Sequence, residues 1–414
     1  MDMQSKAKKL IEMIQTAPVE WKPLGEVGLL VRGNGLQKKD FTESGVPAIH
    51  YGQIYTYYGN QTDKTLSFVS PELAEKLKKV DKGDVVITNT SENIEDVGKA
   101  LLYLGEEQAV TGGHATIFKP SKEIVGKFFV YFTQTEIFDK AKRKFAKGTK
   151  VIDVSATDMA KIQIPIPPLE TQKKIVKILD KFTELEATLE AELALRKRQY
   201  RYYRDFLLDF DNQIGGGIAD GYQCRLKDVV WKTLGEVAEY SKNRICSDKL
   251  NEHNYVGVDN LLQNREGKKL SGYVPSEGKM TEYIVNDILI GNIRPYLKKI
   301  WQADCTGGTN GDVLVIRVTD EKVNPKYLYQ VLADDKFFAF NMKHAKGAKM
   351  PRGSKTAIMQ YKIPIPPLSE QEKIVAILDK FDTLTHSVSE GLPHEIALRR
   401  KQYEYYCEQL LAFR

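Results

Sequence analysis

Two stretches of the chain carry apolar residues at helical spacing over an unusual length. In the first they fall at Ile175, Ile178, Leu179, Phe182, Leu185, Leu189 and Leu193, continued by Tyr200, Tyr203 and Leu207. In the second they fall at Ile374, Ile377, Leu378, Phe381, Leu384, Val388, Leu392 and Ile396, continued by Tyr403, Tyr406 and Leu410. Steps of three and four keep such residues on one stripe. Each stripe predicts a helix of roughly 40 residues, about 60 Å at 1.5 Å per residue. Pro167, Pro168, Pro366 and Pro367 stand just ahead, where a helix start tolerates proline. A stripe so long and narrow wants a partner helix, and each stripe is the other's obvious partner. Ile175, Leu179, Phe182 and Leu189 are expected to pack against Ile374, Leu378, Phe381 and Val388. Chain order makes that pair antiparallel. Gly391 and Pro393 predict a break in the second helix near SEGLPHE, because proline removes a hydrogen bond and clashes with the preceding turn.

Outside these stretches the pattern changes to short apolar runs between turns. VPAIHYGQI (46–54), DVVIT (84–88) and HATIF (114–118) read as strands, as do VNDILIG and GDVLVIRV later in the chain. The segments 123–145 and 324–340 read as helices. The fold class is therefore α+β, mixed α/β, with strand order beyond reach. A chain of 414 residues exceeds one compact core. The expected division is a globular domain over 1–163, a helix over 164–212, a second globular domain over 213–362 and a second helix over 363–414. The two globular domains would be joined by the two long antiparallel helices in a dumbbell with a pseudo-two-fold.

The helical stretches are copies of one another. IPIPPLETQKKIVKILDKF from Ile164 and IPIPPLSEQEKIVAILDKF from Ile363 agree at 15 of 19 positions. WKPLGEV at Trp21 returns as WKTLGEV at Trp231, and ALRKRQYRYY at Ala194 returns as ALRRKQYEYY at Ala397. Fainter matches keep the same order between them: GDVVITNT at Gly83 with NDILIGNI at Asn286, TGGHATIF at Thr111 with TGGTNGDVLVI at Thr306, and AKGTK at Ala146 with AKGAK at Ala345. The chain is a tandem duplication whose scaffold persists and whose globular surfaces have diverged.

Composition narrows the chemistry. Hydrophobic content of 42% and charged content of 28% fit a folded soluble protein. A net charge of +6 permits a polyanionic partner. Four cysteines without a CxxC argue against a disulfide scaffold or zinc knuckle and fit a reducing cytoplasm. The charged N-terminus does not read as a signal peptide, and no run of eighteen apolar residues suggests a membrane span. There is no GxxxxGK[ST] or GxGxxG, and the six histidines form no metal-binding spacing. EGK at Glu266 and at Glu277 resembles the tail of a metal-nuclease motif but lacks a defined acidic partner. No catalytic, cofactor or metal residues are assigned.

Basic tracts recur instead. Lys140, Lys142, Arg143, Lys144, Lys147 and Lys150 precede the first IPIPPL; Lys343, Lys346, Lys349, Arg352 and Lys355 precede the second. Lysine runs are usually only solvated surface, but recurrence at one place in the repeat marks them as candidates for DNA-backbone contact, which positions a duplex without reading it. Asn89, His114, Arg294 and Asn310, in the matched strand-end segments, are candidates for reading bases. A plain polar turn residue is the alternative for each.

Taken together, the WKPLGEV/WKTLGEV pair, the IPIPPL segments and the tails RKRQYRYYRDFLL and RRKQYEYYCEQLL resemble the specificity subunit of type I restriction–modification systems. GLQKKDF from Gly35 and NIRPYLKKI from Asn292 also resemble segments of that family's recognition domains. The resemblance implies two target recognition domains, each reading half of a split sequence in double-stranded DNA. It implies helices that space them and dock two methylation subunits. S-adenosylmethionine, ATP and Mg would then belong to partner methylation and restriction subunits, with none in this non-catalytic chain. The competing readings are a self-contained DNA methyltransferase or nuclease, and a coiled-coil scaffold without a DNA role.

Overall fold

The computed structural model describes residues 11, 12, 14, 16–210, 229–387 and 390–413. The chain divides into two compact units, Met1–Thr188 with Ile396–Arg414, and Leu189–Glu395. The cut falls inside both long helical stretches rather than at their ends. Each unit thus contains one globular domain, the start of the helix that follows it and the end of the other helix.

The repeated motifs explain one another at the base of each unit. Glu20–Pro23 pairs antiparallel with Gln163–Ile166, placing Trp21 opposite Pro165. Val230–Thr233 pairs with Lys362–Ile365, placing Trp231 opposite Pro364. WKxLGEV and IPIPPL are therefore strand partners. Proline is tolerated because each sheet has only two strands, both edges. Lys22 bonds Glu123 at 2.9 Å in the first unit, and Lys232 bonds Asp320 at 2.7 Å in the second.

A buried glutamine then fixes each helix start. The Gln172 amide donates to the Glu123 and Pro167 carbonyls and accepts from the Val125 N–H. Gln371 does the same with Lys322, Pro366 and Asn324. Both side chains are fully buried. This duplicated clamp accounts for the glutamine shared by both IPIPPL segments.

The globular domains share a sheet. In the first unit Gly28–Arg32, Ala115–Pro120, Val85–Thr88 and Ala100–Tyr103 lie side by side in that order, antiparallel throughout, with Gln61–Thr62 added in parallel at one edge. In the second, Ala238–Tyr240, Val313–Val318, Ile288–Gly291 and Ile300–Gln302 repeat the order. A second small sheet accompanies each. The expected strand over 46–54 is shorter than its pattern suggests: Val46–Ile49 is strand, but the His50 ring nitrogen accepts the Gly52 N–H and caps a helix, Tyr51–Thr56. The helix over 123–145 is two, Gly126–Phe132 and Glu136–Arg143, because Thr135 caps the second. Asp334 likewise divides Pro325–Leu332 from Asp335–Lys343.

The first long helix is unbroken, Leu169–Leu207, 39 residues. The second breaks where its sequence predicts, into Leu368–His386 and Leu392–Leu411. Gly391 lies against the end of the first piece, where a Cβ would stand 2.3 Å from the Thr383 carbonyl oxygen.

Within each unit, parts of both long helices meet. In the first, Phe182 stacks on Tyr406 at 5.0 Å and Arg400 pairs with Glu186, while Phe413 beyond the second helix packs near Phe128 of the globular domain. In the second, Phe381 stacks on Tyr203 at 5.3 Å and on Tyr200 at 6.1 Å. Ile175 and Leu179 are fully buried, but in a cluster shared with the globular domain and with Leu410 and Leu411; Ile374 and Leu378 are buried the same way with Tyr200 and Leu207. Leu189 is half-buried, and Val388 lies outside the described residues. The stripe is thus a three-way joint at each helix start rather than a simple seam.

Candidate nucleic-acid interface

Each basic tract folds into a small hairpin. Lys147 and Asp153 exchange both backbone hydrogen bonds, at 3.0 and 2.8 Å; Lys346 and Arg352 do so at 2.9 and 2.8 Å. Both turns need glycine at the same place, Gly148 at φ +100° and Gly347 at φ +101°. Glycine adopts such a left-handed backbone at little cost, whereas a side chain there is strained.

Each hairpin is tied to the end of a central strand. Ile152–Asp153 pairs with Thr90–Ser91, and Arg352 bridges to Ile293. The strand-end asparagines occupy equivalent positions. Asn89 donates its N–H to the His114 carbonyl and accepts at its own carbonyl from Val154; Asn292 does so with Asp312 and Gly353. The structure therefore brings each basic tract beside the candidate base readers of its own unit.

In the first unit His114 is exposed, its Nδ1 lies 2.7 Å from the Thr90 hydroxyl, and its ring is 4.8 Å from Tyr51. Tyr51 continues to His50 at 4.6 Å and His50 to Phe41 at 5.4 Å, an aromatic row along this edge. Burial holds His50 below the ordinary histidine pKa, aided by the nearby charges of His114 and Lys38. Arg32 pairs with Asp153 at 2.9 Å and donates to the Gly113 carbonyl. In the second unit Arg352 pairs with Asp312 at 3.0 Å. Arg294 is exposed, with a left-handed φ of 53° and its N–H on the Pro351 carbonyl at 2.7 Å. Asn310 is half-buried, its side-chain oxygen accepting the Asp312 N–H at 3.0 Å.

The register differs from the match seen in sequence. The hydroxyls of Thr111 and Thr309 both donate to a carbonyl of the neighbouring segment, of Ile49 and Val256. TGGH at 111–114 therefore corresponds to TNGD at 309–312, not to the TGG at 306–308. His114 is matched by Asp312, and Asn310 by Gly112.

Two candidates stand apart from a solvent-facing role. Asn89 is fully buried, and among the described residues its side-chain amide has no hydrogen-bond partner, so it cannot touch a base edge in this conformation. Lys142 is 5% exposed, with its Nζ on the Val97 carbonyl at 2.7 Å and on Asp139 at 3.1 Å. Burial pulls its pKa down. It braces the hairpin's helix from inside. Lys140 and Arg143 are exposed but paired with Glu136, Asp139 and Glu95. Lys147, also exposed, shares Asp158 with Lys161, and these lysines hold that carboxyl well below the usual range. Lys144, Lys150, Lys343, Lys349 and Lys355 are exposed, as is Lys346 in the hairpin.

Sequence reasoning missed Arg32, Asp153, Asp312 and the Phe41–His50–Tyr51 row. The pairings Arg32–Asp153 and Asp312–Arg352 depend on strand order, which no single-sequence pattern carries. Asn341, fully buried with an amide that has no hydrogen-bond partner among the described residues, crowds Gly353 beside Asn292; a Cβ on Gly353 would fall 2.3 Å from its oxygen.

Comparison with known proteins agrees with this architecture. The family described as "Type I restriction modification DNA specificity domain" matches residues 18–195 and 227–398, one match per repeat. The specificity subunit of the EcoR124I/EcoR124II type I restriction enzyme of Escherichia coli is 29% identical over 431 residues, covering 100% of this chain and 98% of that protein. A putative type I restriction enzyme specificity subunit of Haemophilus influenzae is also 29% identical, covering 99% of this chain and all of its own length. The crystal structure of a type I restriction–modification S subunit from M. genitalium shares the fold, with a TM-score of 0.57 at 15% identity over 96% of this chain and 97% of that one. Specificity subunits are the non-catalytic components of their systems, and among the described residues no helix is long and apolar enough to cross a membrane. The chain belongs to the type I restriction–modification DNA specificity family.

Proposed function

We propose that the chain is the sequence-specific DNA-binding subunit of a cytoplasmic type I restriction–modification complex. Residues 1–163 and 213–362 act as two target recognition domains, each reading one half of a bipartite site in double-stranded DNA. The observation that carries this reading is the repeated hairpin beside a strand end whose side chains differ between the units. Exposed lysines of the hairpins neutralise phosphates, and the unlike groups at the strand ends meet bases. The segments 164–212 and 363–414, which carry the long helices, fix the gap between half-sites.

The same helices dock two methylation subunits. Large apolar side chains are exposed in matched pairs: Trp21 with Trp231, Leu169 with Leu368, Leu195 with Leu398, and Tyr202 with Tyr405 at 59% and 57%. Each unit carries one full set. An identical surface offered twice suits two copies of one partner. The partners supply S-adenosylmethionine chemistry at adenine N6, and restriction subunits supply ATP- and Mg-dependent cleavage. Co-expression with the methylation subunit, followed by mapping of modified adenines, should return one split motif with a constant gap. Methyl transfer by the purified chain alone, or modification without a split motif, would refute the assignment.

A further inference from the structure

The second unit contains a cavity of about 430 Å³ whose wall includes none of the hairpin or strand-end candidates named above. Its wall includes Lys197, Arg201, Arg204, Arg265, Lys298 and the ring of Tyr200. Arg204 is 5% exposed, and among the described residues its Nε has no hydrogen-bond partner. Its guanidinium lies 5.2 Å from the centre of the Tyr200 ring. Leaving such a donor buried and unmatched costs roughly 1–3 kcal/mol, more for a charged group, so it calls for an explanation.

The carboxylates in the wall are already engaged. Asp335 accepts from Arg265 at 2.7 Å and Lys298 at 2.8 Å, Glu266 pairs with Lys197 at 3.7 Å, and Asp382 pairs with His386 at 3.1 Å. Arg201 and Arg204, one helical turn apart, have no carboxylate partner among the described residues. Burial lowers the Arg265 pKa and the like charge of Arg204 lowers it further, against the opposing pull of Asp335 and Asp334.

We propose that this cavity binds one phosphate-bearing anion per chain, gripped by the guanidinium groups of Arg201 and Arg204. Planar guanidinium forks match phosphate oxygens in pairs. The volume suits a small ligand, whose usual pockets span about 300–1,000 Å³. The duplication supplies an internal control. RYYR at 201–204 is EYYC at 404–407, so Glu404 and Cys407 stand where the second unit has its two free arginines. In the first unit Cys407 is buried, and burial pushes its thiol up to about 12. The anion site is therefore not part of the surface that repeats.

The full chain is titrated with inorganic phosphate by calorimetry, at constant ionic strength. Arg204→Cys and Arg201→Glu each install the residue that the repeat carries at the matching helix position, and denaturant unfolding of each variant checks that it folds. One phosphate per chain should bind the native protein, and each variant should bind about tenfold more weakly or worse. Competition identifies the source: displacement by ATP but not by a short duplex marks a free nucleotide, and displacement by the duplex marks a DNA backbone phosphate. No saturable binding to the native chain, or equal binding to folded Arg201→Glu, where the replaced side chain is exposed, would overturn the proposal.

Discussion

The two recognition edges are the same piece of backbone dressed differently. In both, a seven-residue hairpin closes through paired main-chain bonds and docks on the asparagine at a strand end. At matched places the first unit has Thr90, Gly112, His114 and Asp153, and the second has Ile293, Asn310, Asp312 and Arg352. The ion pair across the edge even reverses. In the first unit the hairpin supplies the acid, Asp153 to Arg32; in the second it supplies the base, Arg352 to Asp312. Main-chain bonds hold position regardless of side chain, so the frame persists while the reading surface is free to change. The repeated segments and the divergent segments obey different constraints for this reason.

The largest effect should come from the frame. Gln172→Ala and Gln371→Ala each leave one buried N–H and two carbonyls unmatched, and each should destabilise its own unit by about 3 kcal/mol in denaturant unfolding. A cost in one unit alone would break the equivalence. Gly148→Ala should cost about 2 kcal/mol, since its Cβ would fall 2.0 Å from the Val151 oxygen. Gly347→Ala should cost only about 1 kcal/mol, since the nearest atom there is 3.3 Å away.

Next come the lysines of the first basic tract. Neutralising exposed Lys144 and Lys150 together should flatten the log–log salt dependence of duplex binding by about 2, near 0.9 per phosphate contact. Lys142→Ala should lower stability and leave that slope unchanged, because its ammonium faces Val97 and Asp139. A slope lowered by Lys142→Ala would return it to the DNA surface.

The smallest effect is a pH response confined to the first unit. His50 is held below its ordinary value of 6.5, so the unfolded chain binds that proton more tightly than the folded one. The corresponding stability is complete above pH 6.5 and is lost as pH falls through the lower folded value. The second unit has Gly257 at the matching place and should show no such loss. A histidine titration by NMR should place His50 below 6.5; a value at or above it would contradict the packing described.

Much of this was legible in the residues. The helical stripes, the break at Gly391, the common order of the repeats and the recurrence of the basic tracts are all local signals. The depth of a side chain is not local. Lys142 and Lys144 look alike in KAKRKF, but one faces inward from the helix Glu136–Arg143 and the other lies just past its end. Asn89 looked like an exposed turn residue because its burial depends on the hairpin folding over it from far along the chain. The shared TGG misaligned the two edges because identical letters outweighed the strand register that the threonine hydroxyls reveal. The helix stripe was visible, but its partners were not: Ile175 and Ile374 serve a joint with the globular domain as well as the opposite helix.

The central claim is that each unit reads its own half of one split site. Arg294→Ala alters only the second unit's edge. With the methylation partner co-expressed, modified adenines mapped across a genome should show one half of the motif relaxed, the other half intact and the gap unaltered. A change in both halves, or in the gap, would contradict the account.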